Sequence, residues 1–267
     1  MRKHLFFFCL ILTLAEILLL PLATVPVAAE EFAPTGTLRA TFLAVNPVQA
    51  TTDPATGEVR GPAADLTREL ARRLGLPFTL TGVAGVPAVI ESVKSGVADM
   101  GFIAYDPTRA VEVEFSQPYL LAFNTYLVLT ESPIQSVVEV DRPGIRIGVG
   151  QGDAADLFFS RTLKDAVLRR NPGGDLSVAL LQLAAGEIDA YAANRTRLLE
   201  VAMKRPGLRV LSDNFLDVQQ AIVVPKGDTA RLAIVNRLID DARATGLIRA
   251  AIDRAKLLGV AVAPARQ

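Results

Sequence analysis

The chain has 267 residues, with 28 basic and 28 acidic side chains, a hydrophobic fraction of 51% and one Cys and one His. Balanced charge, without a basic patch interleaved with aromatics, excludes a nucleic-acid footprint. The apolar content is that of a packed protein, and the length suffices for two domains of ordinary size.

In chain order, residues 1–29 read as a secretory signal peptide. Arg2, Lys3 and His4 open it, an almost wholly apolar run covers residues 5–20, and Val27 and Ala29 mark a cleavage site before Glu30. The run is short for a spanning helix and Pro21 follows it directly; an uncleaved anchor is the competing reading. Cleavage removes Cys9 and His4, the chain's only Cys and His. The mature chain then has no route to disulfides, to thiolate or histidine zinc sites, or to Ser-His-Asp and Cys-His catalysis. No metal or cofactor is expected.

Beyond Glu30, strand-like apolar runs alternate with amphipathic helical runs. Residues 37–43 predict a strand, and residues 64–74 a helix with Leu66, Leu70 and Leu74 on one face, stopped by Gly75. Residues 78–81 and 99–104 predict strands flanking a helix over residues 87–94. This βαβαβ order implies a mainly parallel sheet with right-handed crossovers. Residues 119–130 are apolar without a helical period, and residues 132–144 are loop-rich. A second series follows: strand 145–149, helix 153–169, the break Asn171-Pro172-Gly173-Gly174, helix 176–185, strand 188–192, helix 194–204 and strand 208–211. The last strand (219–224) and helices (229–244 and 247–258) are too few to bury a core of their own, so they are expected to complete the first unit.

The expected architecture is α/β with two lobes. Lobe 1 covers residues 30–128, lobe 2 residues 129–220, and residues 221–267 return to lobe 1. Two extended crossings, near residues 127–130 and 218–224, make a hinge, and the interlobe cleft is the default site.

Several fragments recur in a telling order. They are Gly36-Thr37-Leu38-Arg39, Ala71-Arg72-Arg73-Leu74-Gly75, Val93-Lys94-Ser95-Gly96-Val97-Ala98-Asp99 and Pro107-Thr108-Arg109-Ala110 with Val113-Glu114-Phe115-Ser116-Gln117-Pro118-Tyr119. Gly148-Val149-Gly150-Gln151-Gly152, Gly186-Glu187-Ile188-Asp189-Ala190 and Val224-Pro225-Lys226-Gly227-Asp228 follow. Together they resemble family 3 of the bacterial extracytoplasmic solute-binding proteins, the amino-acid-type periplasmic component of ABC transporters. The resemblance implies the periplasmic-binding-protein type II fold and a monomer that captures a small carboxylate-bearing solute. It also implies docking on an inner-membrane ABC permease, and a protein that is not an enzyme.

The resemblance places Arg109 where the family grips the ligand's carboxylate, and a planar guanidinium suits that task. The alternative is a surface arginine paired with Glu112 or Glu114. The second anchor falls on Gly152, Asp153 and Ala154. Gly152 lets the backbone approach a ligand, whereas Asp153 as N-cap would take the helix's free N–H groups itself, and Ala154 lacks a hydroxyl. The third anchor, an acid for an ammonium group, falls on Asn194, which reads equally as a ligand contact or an N-cap. In lobe 1 the family positions fall on Asn46, Phe102, Ala104 and Asp106. Asp106 supplies a negative charge or caps its own turn. Tyr105 or Phe102 lines the cleft while the other enters the core. Retaining Arg109 while losing an acid at Asn194 favours an organic acid, or an amino-acid derivative without a free ammonium. The competing function is a dehydratase of cyclic acids on the same fold, which needs an acid in the cleft: Asp106, Asp153 or Asp189.

Overall fold

A computed structural model describes residues 27–265. In chain order the elements are α1 (Val27–Phe32), β1 (Leu38–Leu43), β2 (Thr51–Thr52), β3 (Val59–Arg60), α2 (Pro62–Leu74), β4 (Phe78–Val83), α3 (Val86–Lys94), β5 (Met100–Ala104) and β6 (Val113–Leu129). Then come β7 (Arg146–Gly150), α4 (Ala154–Thr162), β8 (Val167–Asn171), α5 (Leu176–Ala184), β9 (Ala190–Asn194), α6 (Arg195–Lys204), β10 (Leu208–Val210), β11 (Leu216–Pro225), α7 (Thr229–Ala244), α8 (Leu247–Arg254) and β12 (Val260–Val262).

The helices form where the apolar stripe and the stop signals agree. In α2, Leu66, Leu70 and Leu74 are buried on one face, and Gly75 closes the helix in the left-handed conformation, donating its N–H to Ala71 O and Arg72 O. The sheet runs β4-β1-β5-β11-β6-β9-β7-β8. β1 is parallel to β4 and β5, and β7 is parallel to β8 and β9. The long antiparallel strands β6 and β11 join the two parallel groups. β6 pairs with β11 up to Asn124 opposite Leu216, then passes to β9 with Asn124 opposite Asn194. Four sets of apolar residues are buried among the described residues, and two of them are centred on the strands. One gathers Leu38, Phe42, Leu70, Phe102, Tyr119 and Ile222 with Leu238 and Ile252 of α7 and α8. The other gathers Tyr126, Val128, Ile147, Val149, Phe159 and Ala192. The architecture is therefore the two-lobed α/β type II fold with two extended strands crossing between lobes.

The lobes repeat one device. Asp99, just before β5, accepts the Arg39 backbone N–H at 2.8 Å and pairs with its guanidinium at 2.6 Å. Asp189, just before β9, accepts the Arg146 N–H at 2.7 Å and pairs with its guanidinium at 2.8 Å. These pairs fix the entry of one parallel strand beside its neighbour. They explain the Asp of both Gly-x-x-Asp markers as structural, and they withdraw Asp189 from the candidate acids.

Some expectations need correction. The helix predicted over residues 153–169 ends at Thr162. The Asp141 carboxylate accepts the N–H groups of Lys164, Asp165 and Ala166, and β8 then pairs in parallel with β7 from Val167 opposite Arg146. Pairing with a strand some twenty residues away overrides the helical pattern. The last helix stops at Arg254, and β12 pairs with β6. Residues 1–26 of the expected signal peptide lie outside the described residues. α1 runs across the expected junction, and Ala29 is buried with Phe32 in the first core. Among the described residues no helix is long and apolar enough to cross a membrane.

Candidate functional site

Where the parallel strands of both lobes end, a cavity of about 70 Å³ lies between Asn46, Gln49 and Arg109 on one side and Asp153, Asn194 and Arg197 on the other. It shares Leu43, Val45, Val86, Arg109, Asp153 and Arg197 with an outer groove of about 630 Å³. Strand carboxyl ends of open α/β sheets face such crevices because the chain's loops and helix N-termini gather there.

Arg109 follows β5 in a single 3-10 turn and is only 6% exposed. Its guanidinium donates to Ala104 O at 2.8 Å and, across the cleft, to Gly152 O at 2.9 Å. Burial pulls its pKa below the ordinary arginine value, opposed by the charges of Asp106 and Asp153. The surface-pair alternative is gone: Lys94 takes Glu112 and Lys226 takes Glu114. A guanidinium has five N–H donors, so three remain for a ligand.

Asp153 occupies the N-cap of α4 but makes no side-chain cap bond. Asp156, in the first turn of α4, reaches back to the preceding loop instead, accepting Gly152 N–H at 2.8 Å while Arg170 holds its other oxygen at 2.8 Å. The Asp153 carboxylate turns back over Gly150 and Gly174. A Cβ on Gly150 would lie 2.3 Å from Asp153 Oδ2 and 3.0 Å from the Gly174 Cα, so only glycine leaves that space. Burial raises the Asp153 pKa above the usual carboxylate range, and Arg197 and then Arg109 act against that rise. No hydrogen bond or ion pair reaches its carboxylate among the described residues. Arg197, in the first turn of α6, donates to Gly174 O at 2.7 Å and likewise forms no ion pair there.

The remaining polar lining is carboxamide. Asn194 is both cap and cleft residue: its oxygen accepts Arg197 N–H at 2.9 Å, and its nitrogen points across the cleft to Asn46 Oδ1 at 3.4 Å. Gln49 donates to Gln220 at 2.9 Å. Asn124 is 4% exposed and lines the cavity with no side-chain hydrogen bond among the described residues. Ala104 and Ala154 belong to the apolar part of the inner wall, with Leu43, Val86, Ala193 and Val218, while Gly152 lines the outer groove.

Two residues nominated for the cleft lie outside it. Tyr105 is 43% exposed and packs its ring edge-on against Phe115, while Phe102 enters the core. Asp106 caps its own turn through Thr108 N–H at 2.9 Å, and its second oxygen meets Arg161 of α4 at 3.0 Å. It therefore ties the lobes together beside the cleft. Sequence reasoning missed Arg197, Asn124 and Gln49. Arg197 was accessible in principle, since it stands three residues after the N-cap Asn194, at the same helix end. Among the described residues no cluster of three or more His, Cys, Asp or Glu could hold a metal.

The sequence profile of the bacterial extracellular solute-binding proteins, family 3, matches residues 41–255. Among curated proteins, the virulence sensor protein BvgS of Bordetella pertussis is 26% identical over 186 residues, 67% of this chain but 14% of that protein. Among solved structures, a mutant of ArgBP from T. maritima matches with a TM-score of 0.71 at 24% identity, over 86% of this chain and 99% of that one. The amino acid ABC transporter substrate-binding protein AbpA from Streptococcus pneumoniae, bound to L-arginine, gives 0.71 at 20% identity, over 85% and 97%. The ancestral amino acid-binding protein AncCDT-1, a precursor of cyclohexadienyl dehydratase, gives 0.70 at 22% identity, over 85% and 97%. At these identities the likeness carries the fold.

Proposed function

The chain belongs to the bacterial extracellular solute-binding proteins, family 3, and from that premise we propose that it captures a small carboxylate-bearing solute in the interlobe cleft for an ABC uptake transporter. The observation that carries the reading is Arg109: a buried guanidinium on the cavity wall, without an acidic partner and with donors free for a carboxylate. The lobes of this reading meet at Asn124 and Leu216, where β6 changes partners, and close about those two crossings. Cross-cleft contacts from Arg109 to Gly152 and from Arg161 to Asp106 belong to the closed form, which docks on the permease. Members of this family are periplasmic or secreted, and cleavage before Glu30 delivers this one; N-terminal sequencing of exported protein tests that site.

A thermal-shift screen of small acids against wild type and Arg109→Ala tests the function. Stabilisation of wild type alone supports it; equal stabilisation of both removes Arg109 from the site. A second reading, a dehydratase of cyclic acids, is favoured by Asp153, whose raised pKa and cavity position suit a general acid. Product formation from cyclic hydroxy acids, followed by NMR and lost in Asp153→Asn, would replace the binding reading with the enzymatic one.

A further inference from the structure

Three charged side chains line the same cavity with no hydrogen bond or ion pair joining them among the described residues: Arg109, Asp153 and Arg197. Arg109 and Arg197 donate to backbone carbonyls, of Ala104 and Gly152 and of Gly174 respectively. The Asp153 carboxylate lines the same cavity, over Gly150 and Gly174, with no hydrogen bond from either arginine. Other acids near the opening are either engaged or remote from the cavity. Asp106 is held by Arg161, Asp156 by Arg170 and Glu112 by Lys94, and Glu91 lies on the outer groove alone.

A closed cleft raises the cost of every charge left without a partner. The ligand must therefore supply the complement of what the wall presents. A simple monocarboxylate meets Arg109 and leaves Asp153 and Arg197 unanswered. A neutral zwitterion meets Arg109 and Asp153 and leaves Arg197. A dicarboxylate meets both arginines and brings a second anion towards Asp153. Two carboxylates and one ammonium on a short chain meet all three.

Resting on the solute-binding reading, we propose that the ligand is an acidic amino acid, with Arg109 on one carboxylate, Asp153 on the ammonium and Arg197 on the second carboxylate. Asp153 then performs the task that the uncharged Asn194 does not. Arg197 is only partly buried and lines both cavity and groove, so the second carboxylate lies at the mouth. The unpartnered Asn124 carboxamide offers a further donor or acceptor to the ligand's polar end.

Isothermal titration of the exported full chain with L-glutamate, L-aspartate, L-glutamine, L-asparagine, glutarate and succinate tests this. Expected is binding of at least one acidic amino acid about tenfold or more tighter than its amide and than the dicarboxylate of equal length. Arg197→Gln is expected to abolish the preference over the amide, and Asp153→Asn the preference over the dicarboxylate. The wild-type ranking stands alone if a variant fails to fold. Glutarate or succinate binding as tightly as its amino counterpart overturns the assignment of Asp153; an amide binding equally well overturns that of Arg197. If acidic amino acids do not bind but another acid binds in an Arg109-dependent way, this proposal falls and the solute-binding reading stands. If no carboxylate binds, both fall.

Discussion

Replacing Arg109 with lysine keeps the positive charge at the cavity wall and removes its geometry. The guanidinium engages Ala104 O at 2.8 Å and Gly152 O at 2.9 Å, and its remaining donors form a planar fork for a carboxylate. A lysine ammonium has three donors radiating from one atom. If it keeps both carbonyl contacts, one donor is left for the ligand. The loss is at least one charge-assisted hydrogen bond, about 1.5–3 kcal/mol, which corresponds to a rise in Kd of about 10- to 150-fold. Arg109→Ala removes the whole set and leaves the Gly152 carbonyl without its cross-cleft donor, so it should weaken binding further and favour the open form. Calorimetric titration with the tightest ligand of the acid panel reads the affinity. Small-angle scattering of the ligand-free variants reads opening. An unchanged Kd in folded Arg109→Lys and Arg109→Ala would refute the reasoning and reduce Arg109 to a tie between the lobes.

Further outcomes follow from neighbouring residues. Arg161→Ala removes the cross-cleft pair with Asp106; because Arg161 is 48% exposed the pair contributes at most about 1 kcal/mol, so affinity for any ligand should fall by no more than about fivefold. A scattering profile unchanged from wild type would deny the pair a role in closure. Gly150→Ala drives a methyl into Asp153 Oδ2 and the Gly174 Cα, at an expected cost of about 1–3 kcal/mol in stability together with lost binding, read by thermal melting and titration. Asp153→Asn tests the buried charge through pH. The folded-state pKa of Asp153 is raised, so the folded protein binds the extra proton between the unfolded value, about 3.9, and that raised value. Stability is therefore lost as pH rises through this window. Ligand-free Asp153→Asn should melt above wild type at pH 7, with the gap closing as pH falls through that window and gone once pH is below about 4. A gap that persists at low pH would show that the carboxylate's charge is not the cause.

Much of the fold is legible in the sequence because its signals are local. The stripe Leu66, Leu70 and Leu74 with Gly75 behind it yields α2, and Asn194 as an N-cap yields the start of α6. The sequence carries one Gly-x-x-Asp marker at Gly96-Val97-Ala98-Asp99 and another at Gly186-Glu187-Ile188-Asp189. Their chemistry, two Asp–Arg locks, became visible only when Arg39 and Arg146 were placed beside Asp99 and Asp189. β8 shows the limit from the other side, since residues 167–169 fall within a helical pattern until β7 offers them a parallel edge.

The candidate site divides in the same way. The resemblance to the solute-binding family, carried over position by position, nominated Arg109, Asn46, Ala104, Gly152, Asp153, Ala154 and Asn194, all of which line the cavity or its groove. Where a side chain points was decided by contacts that form only in the folded chain, some of them with partners remote in sequence. Arg161, from the opposite lobe, draws Asp106 out of the site. Asp153 forgoes its cap bond and turns inward over Gly150, brought near Gly174 of the loop after β8. Arg197 joins Arg109 across nearly ninety residues of chain only because the two lobes close on each other. A sequence determines which elements form through interactions within a turn or two of chain. The charge pattern of a cleft is set by contacts between surfaces that meet only once both lobes have folded.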